Sequence, residues 1–336
     1  MDDRFTLSEI LERFSGRNLL VFGDVILDRY WWGEATRLSP EAPVPVVLAQ
    51  RSSARPGGAA NTAANLVALG ASVDLFGMTG ADTEAAELKR VLRDFGISPE
   101  FVFDEPGRLT TTKTRVLALH QQIVRVDRED ARPISEACAS RVIQLAAGRM
   151  SLADGVVISD YAKGLLTPEL LARLIAMASE AHKPIFIDPK GADSALYSGC
   201  TLLKPNRAEL SILTGLPARS REETAIAGRQ LSSQMPGTRL LVTEGQDGMT
   251  MFYDAQICDH VACPPRQVYD VTGAGDTVLA TLALSICAGA SYRQAMQLSS
   301  EAASIAVGSV GTAVVGWRDL AACIQVPAVG VANTFE

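Results

Sequence analysis

The chain has 336 residues, 47% of them hydrophobic and 21% charged, with a formal net charge of −7. This is the composition of a globular protein with a core large enough to need no staples, and its acidic balance argues against general nucleic-acid binding. The six cysteines form no CxxC pair, and with only His120, His182 and His260 beside them they make no zinc-ligand set. Reduced thiols in a cytosolic protein are therefore expected. The N-terminal stretch is acidic and amphipathic, unlike a signal peptide, and the longest apolar run, near 278–290, is too short to span a bilayer. These features predict a soluble cytoplasmic protein with neither a nucleic-acid nor a membrane partner.

Taken in chain order, residues 6–14 predict a short helix and 18–28 a buried strand that runs into a loop carrying Asp24 and Asp28. Residues 29–58 form a β-rich block with clustered aromatics and scattered prolines, which point to edge strands. A helix over 59–71, a strand over 72–80 and a helix over 82–97 follow. A second β-rich block occupies 100–129. Alternation then resumes: helix 134–149, strand 155–159, helix 167–180, strands 184–189 and 201–206, helices 207–213 and 221–235, strand 239–245, strands near 249–262, and helices 276–288 and 291–307. Strands alternating with helices predict a mainly parallel sheet covered on both faces. The two blocks near 29–56 and 100–127 break that rhythm and could pair into one small protruding sheet. No linker divides the chain, so 1–336 reads as a single domain.

Chemistry concentrates in a few short stretches. "YDVTGAGDT" (269–277) places glycines at the start of an apolar helix, where unpaired N–H groups and the helix dipole favour an anion. Asp276 beside that loop fits two roles: an N-cap, or a base for a hydroxyl that attacks a phosphoryl group. It is neither a P-loop nor a GxGxxG fingerprint. "RPGGAAN" (55–61) brings a Gly pair and Asn61 to another helix start, either for backbone approach to a polar ligand or as a simple turn. Asp24 and Asp28 suit sugar hydroxyls or turn chemistry. In "KPNRAEL" (204–210), Asn206 and Glu209 suit either water-mediated Mg²⁺ or a capping box. "VTEGQDGM" (242–249) ends a strand in a Gly-containing turn, while "SDYAKGLL" (159–166) and "IDPKG" (187–191) each set an acid and a lysine after a strand. Each of these features lies at the presumed carboxyl edge of the sheet.

Together and in this order, "RPGGAAN", "KPNRAEL", "VTEGQDGM" and "DVTGAGDT" resemble the ribokinase/PfkB sugar-kinase family over about residues 18–316. The resemblance implies a three-layer ribokinase-like α/β sandwich with a small β lid, which often doubles as a homodimer interface. It implies ATP and Mg²⁺ as cofactors. Asp276 would be the base, and Gly273, Ala274 and Gly275 the anion hole. Asn206, Thr243, Gly245, Thr272, Ser300 and Ala303 would serve the nucleotide, and Asn206 and Glu209 the metal through water. Asp270 matches the border of a monovalent-cation site, such as one for K⁺. Asp24, Asp28, Gly57, Gly58 and Asn61 would hold the sugar. Within the family, residues 23–61 are most similar to the bacterial D-glycero-β-D-manno-heptose 7-phosphate kinases, which act in ADP-heptose and lipopolysaccharide precursor synthesis. Arg55, Lys113, Arg115, Lys163 and Lys190, with Asp160 nearby, are then candidates for gripping the sugar phosphate. No HxGH-type nucleotidyl-transfer motif follows, so the form expected is the stand-alone kinase.

Overall fold

The computed structural model describes residues 4–118, 121–265, 267–308 and 311–325. After a short helix α1 (Leu7–Glu12), strand β1 (Asn18–Gly23) passes through the single residue Asp24 into β2 (Val25–Leu38), which pairs with β3 (Pro45–Gly58). Helix α2 (Ala59–Ala68), β4 (Ser72–Gly80), α3 (Thr83–Asp94) and β5 (Val102–Glu105) follow, and then the hairpin β6 (Thr112–Ala118) and β7 (Gln121–Arg128). The remainder alternates through α4 (Glu136–Met150), β8 (Gly155–Ser159), α5 (Pro168–Glu180), β9 (Ile185–Asp188), β10 (Leu202–Leu203), α6 (Arg207–Thr214) and α7 (Arg221–Gln234). Strands β11 (Arg239–Thr243), β12 (Met249–Tyr253) and β13 (Gln256–Val261) come next, then α8 (Ala274–Cys287), α9 (Tyr292–Ala306) and α10 (Trp317–Gln325).

Nine strands form one sheet in the order β13-β12-β11-β10-β9-β8-β1-β4-β5, parallel from β11 to β5 and antiparallel at β12 and β13. The two-residue period of β1 sorts its side chains between two cores: Leu19 and Val21 pack with α2, α8 and α9, while Leu20 and Phe22 pack with α4, α5 and α7. Both faces are buried, which is why the strand is a continuous apolar run. Because these strands are parallel, their carboxyl ends line one edge, and the loops after β1, β8, β9, β10 and β11 all meet there.

The second sheet has the order β3-β2-β6-β7 and stands off that edge as a lid. Pro45 and Pro56 lie in β3, an edge strand, where a missing N–H costs no ladder bond. The predicted lid needs two corrections. Residues 102–105 belong to the main sheet as β5, beside β4, because Val102 and Phe103 are buried in its cores. The predicted strand 18–28 is two strands: the chain does not loop after Gly23 but turns at Asp24 and continues as lid strand β2, so Asp28 lies within a strand. Helix α10 was not foreseen. It follows the short "AVVG" segment (313–316) and carries only nine residues.

Candidate active site

Helix α8 begins at Gly273, whose φ of +83° needs a glycine, and no side chain caps it. Asp276 is therefore not an N-cap. It sits in the first turn, 3% exposed. Its Oδ2 accepts from Asn61 Nδ2 at 2.8 Å, and its Oδ1 from the Tyr161 hydroxyl at 2.8 Å and Thr62 Oγ1 at 3.3 Å. A Cβ on Gly273 would lie 2.7 Å from Asn61 Nδ2, so the bare backbone is what lets α2 and α8 meet at this carboxylate. Burial pushes the Asp276 carboxyl up to about 6; Asn61, Tyr161 and Lys204 oppose the shift, and the nearby Asp28 adds to it. A carboxylate with that proton affinity is suited to take a proton near neutral pH.

Beside the glycine loop lies a buried ion pair, Lys204 Nζ to Asp188 Oδ2 at 2.9 Å. A Cβ on Gly275 would be 3.6 Å from Lys204 Nζ and 3.8 Å from Asp188 Oδ2, which sets the pair against the α8 N-terminus. The cation and the free N–H groups of a helix start can together receive negative charge. Burial raises the Asp188 carboxyl, with Lys204 opposing. Neither residue was singled out from the sequence, although both lie inside the quoted stretches "IDPKG" and "KPNRAEL".

On the lid side, Arg115 Nη1 donates to Asp28 Oδ1 at 2.6 Å in a pair that is almost fully buried. A Cβ on Gly57 would meet Asp28 Oδ2 at 2.4 Å, so the first glycine of the pair makes room for this carboxylate. Gly58 caps α2, one turn before Asn61. Asp28, Gly57, Asn61, Arg115 and Asp276 are thus brought together. Lys113 and Lys163 lie at the margin of this cluster and share one carboxylate: Glu129 is 3.9 Å from Lys113 Nζ and 2.8 Å from Lys163 Nζ, and Lys113 also pairs with Asp127 at 3.1 Å.

Four expected sugar ligands are occupied elsewhere. Asp24 accepts the backbone N–H groups of Tyr161, Lys163 and Leu165, so it braces the loop after β8. Asp160 accepts from Ala162 N–H and the Tyr197 hydroxyl. Arg55 is exposed, with its guanidinium over the Phe95 ring. Lys190 pairs with Glu209 at 3.2 Å. For Asp24, Asp160 and Lys190 a charge one or two residues past a strand end was a poor guide to where its side chain would go, and Arg55 lies within β3.

The residues expected to serve the nucleotide sit as follows. Asn206 and Glu209 form a reciprocal capping box on α6, with Asn206 Oδ1 accepting Glu209 N–H at 2.9 Å and Glu209 Oε2 accepting Asn206 N–H at 3.0 Å. Thr243 ends β11, and Gly245 follows with φ +63° and open space around it. Ser300 donates to the Ala262 carbonyl at 3.2 Å, tying α9 to the segment after β13, with Ala303 one turn on. Behind Thr243, the buried Glu244 joins Arg207, Thr250 and, through Thr250, His260. Thr272 spends its N–H and hydroxyl on Asp270 Oδ1, whose Oδ2 accepts Gly311 N–H at 2.9 Å. Burial works against Asp270, but these bonds prevail and hold it below the usual carboxylate range.

A family model described as "pfkB family carbohydrate kinase" matches residues 17–318. The chain belongs to the PfkB carbohydrate kinases. It is similar to the bifunctional protein HldE of Paramagnetospirillum magneticum, 42% identical over 315 residues, which cover 94% of this chain and 64% of that protein. To the HldE of Caulobacter vibrioides it is 43% identical over 325 residues, 96% of this chain and 66% of that protein. The PfkB chain thus spans less than two thirds of the length of these relatives. Its fold is shared with Arabidopsis thaliana ribokinase solved with ribose and ATP, at TM-score 0.74, 21% identity and coverage of 93% and 99%. It is also shared with Escherichia coli phosphofructokinase-2 solved with potassium, at TM-score 0.74, 20% identity and coverage of 92% and 99%. This member of the PfkB carbohydrate kinases has a ribokinase-like fold, and none of its described helices is long and apolar enough to cross a membrane.

Proposed function

We propose that this kinase phosphorylates the anomeric hydroxyl of D-glycero-β-D-manno-heptose 7-phosphate, giving the 1,7-bisphosphate for ADP-heptose and lipopolysaccharide precursor synthesis in the cytoplasm. The observation that carries the chemistry is Asp276, a buried carboxylate at the α8 N-terminus facing both the glycine loop and the lid cluster. Asp276 takes the O1 proton as the sugar oxygen bonds to the γ-phosphorus of ATP and the bond from that phosphorus to the ADP oxygen breaks. Lys204 and the first-turn N–H groups of α8 take up charge on the transferring group. Mg²⁺, when bound, would neutralise phosphate charge. Glu209, with Asn206, would hold it through water, and no group of three or more acids, histidines and cysteines suited to a metal forms among the described residues. That sparse donor set fits an ion that keeps much of its water and leans on the nucleotide. Asp270, ionised and bridging two loops, would border a monovalent cation.

The choice of heptose rests on the likeness of residues 23–61 and on the HldE relatives. Asp28 and Arg115 would address sugar hydroxyls. Lys113 and Lys163 would receive the 7-phosphate by exchanging Glu129 for the dianion. The lid's outer apolar residues, including Trp31, Leu48, Val124 and Val126, support a homodimer through the lid. A sugar panel in an ADP-release assay tests the substrate. The heptose 7-phosphate should give the highest kcat/KM, and Lys113→Met with Lys163→Met should raise KM for it by roughly tenfold or more. Preference for an unphosphorylated sugar would overturn the reading.

A further inference from the structure

Tyr161 lies within "SDYAKGLL" but had no role assigned there, yet its hydroxyl makes one of the two shortest contacts to the buried carboxylate of Asp276. Three donors reach that carboxylate: Asn61 on Oδ2, and Tyr161 and Thr62 on Oδ1. A carboxylate offers about four acceptor positions, so one on Oδ2 remains for an incoming hydroxyl. The backbone of Tyr161 is fixed as firmly as its ring. Its N–H, with those of Lys163 and Leu165, is held by Asp24, and Ala162 between them takes a left-handed φ of +54° to complete the wrap. Asp24 is also the one residue between sheet strand β1 and lid strand β2.

We propose that Tyr161 is a positioning residue for phosphoryl transfer: anchored by Asp24 at the root of the lid, it holds Asp276 ionised and leaves a single Oδ2 position open for the sugar hydroxyl. The inference rests on Asp276 being the base. The groups facing that carboxylate are Asn61 and Thr62 from α2, Tyr161 from the loop after β8, Asp188 at the end of β9, Lys204 after β10 and Asp28 from lid strand β2. Of these, Tyr161 is the donor whose hydroxyl can be deleted with the ring left in place. Its loss leaves an anion short of one hydrogen bond, which raises proton affinity.

The test is the pH profile of kcat for Tyr161→Phe with saturating ATP and sugar. The acid limb should move up by about half to one pH unit, giving a roughly 2–6-fold deficit at pH 6 that closes by about pH 9. ATP affinity, measured by calorimetry, should stay native, which reports an intact fold. Asp24→Asn, which turns one of the loop's acceptors into a donor, should shift the limb in the same direction. An unmoved limb in Tyr161→Phe, or a deficit equal at every pH, overturns the role of Tyr161; a native limb in Asp24→Asn overturns the anchor. If Asp276→Asn kept most turnover, the base assignment itself would fall. If Asp276→Asn were inactive while Tyr161→Phe kept the native limb, only the inference about Tyr161 would.

Discussion

Replacing Asp276 with asparagine should make the protein a worse enzyme and a more stable one. The Asp276 carboxyl has a pKa of about 6 in the folded chain against an ordinary 3.8, with burial as the chief cause. The difference of roughly two units corresponds to about 3 kcal/mol. The sign follows from which state binds the proton more tightly. The folded protein does, so the stability this proton lends is complete below about pH 4 and is lost as pH rises to about 6. At neutral pH and above, the native protein carries the full cost of an ionised carboxylate under 3% exposure. Asparagine fills the same volume without the charge; its carbonyl can accept from Asn61 and its amide can donate to the Tyr161 oxygen. Neutral acceptors make weaker bonds than charged ones, so a net gain of about 1–2 kcal/mol is expected. For 336 residues that raises Tm by roughly 1–3 °C. Melting curves at pH 8 and pH 5 read it directly: the gain should be present at pH 8 and shrink at pH 5. Turnover should fall by about 10²–10⁴-fold with ATP affinity kept. A lower Tm at pH 8, or the same difference at both pH values, would refute the assignment of a buried, ionised base.

Two further substitutions probe the walls of the same site. Gly273→Ala forces a Cβ to within 2.7 Å of Asn61 Nδ2 at a φ of +83°, so it should cost about 1–3 kcal/mol and reduce kcat more than it raises KM for ATP; thermal melts and steady-state kinetics check both. Arg115→Met strands the Asp28 carboxylate in a nearly dry site and should cost about 3–5 kcal/mol, whereas adding Asp28→Asn should restore much of that stability but not sugar binding, as a double-mutant cycle of melting curves would show.

The parallel sheet was legible because "NLLVFG", "GVVIS" and "RLLVT" are buried on both faces and so read as unbroken apolar runs. The lid was legible for the opposite reason: two blocks lacked the helical period, and the first carried prolines. Its boundary failed at residues 102–105, where "VFDE" has the same β-rich look whether it pairs with β4 or with the lid; only the burial of Val102 and Phe103 decides. The glycines and Asp276 were readable because few residues can do their work. Tyr161, Lys204 and Asp188 were passed over because a tyrosine, lysine or aspartate at a strand end has many ordinary uses. Asp24 illustrates the converse: an acid at the right edge whose carboxylate is held by three backbone N–H groups.

The parallel pairing of β2 with β6 has a consequence for how the lid can come away. The lid consists of two hairpins, and between them the chain returns to the body through α2, β4, α3 and β5. The lid is therefore stitched into the body at four points. It cannot be exchanged between copies by opening one hinge, nor excised as a module, and a single nick within 39–44 would leave both halves rooted.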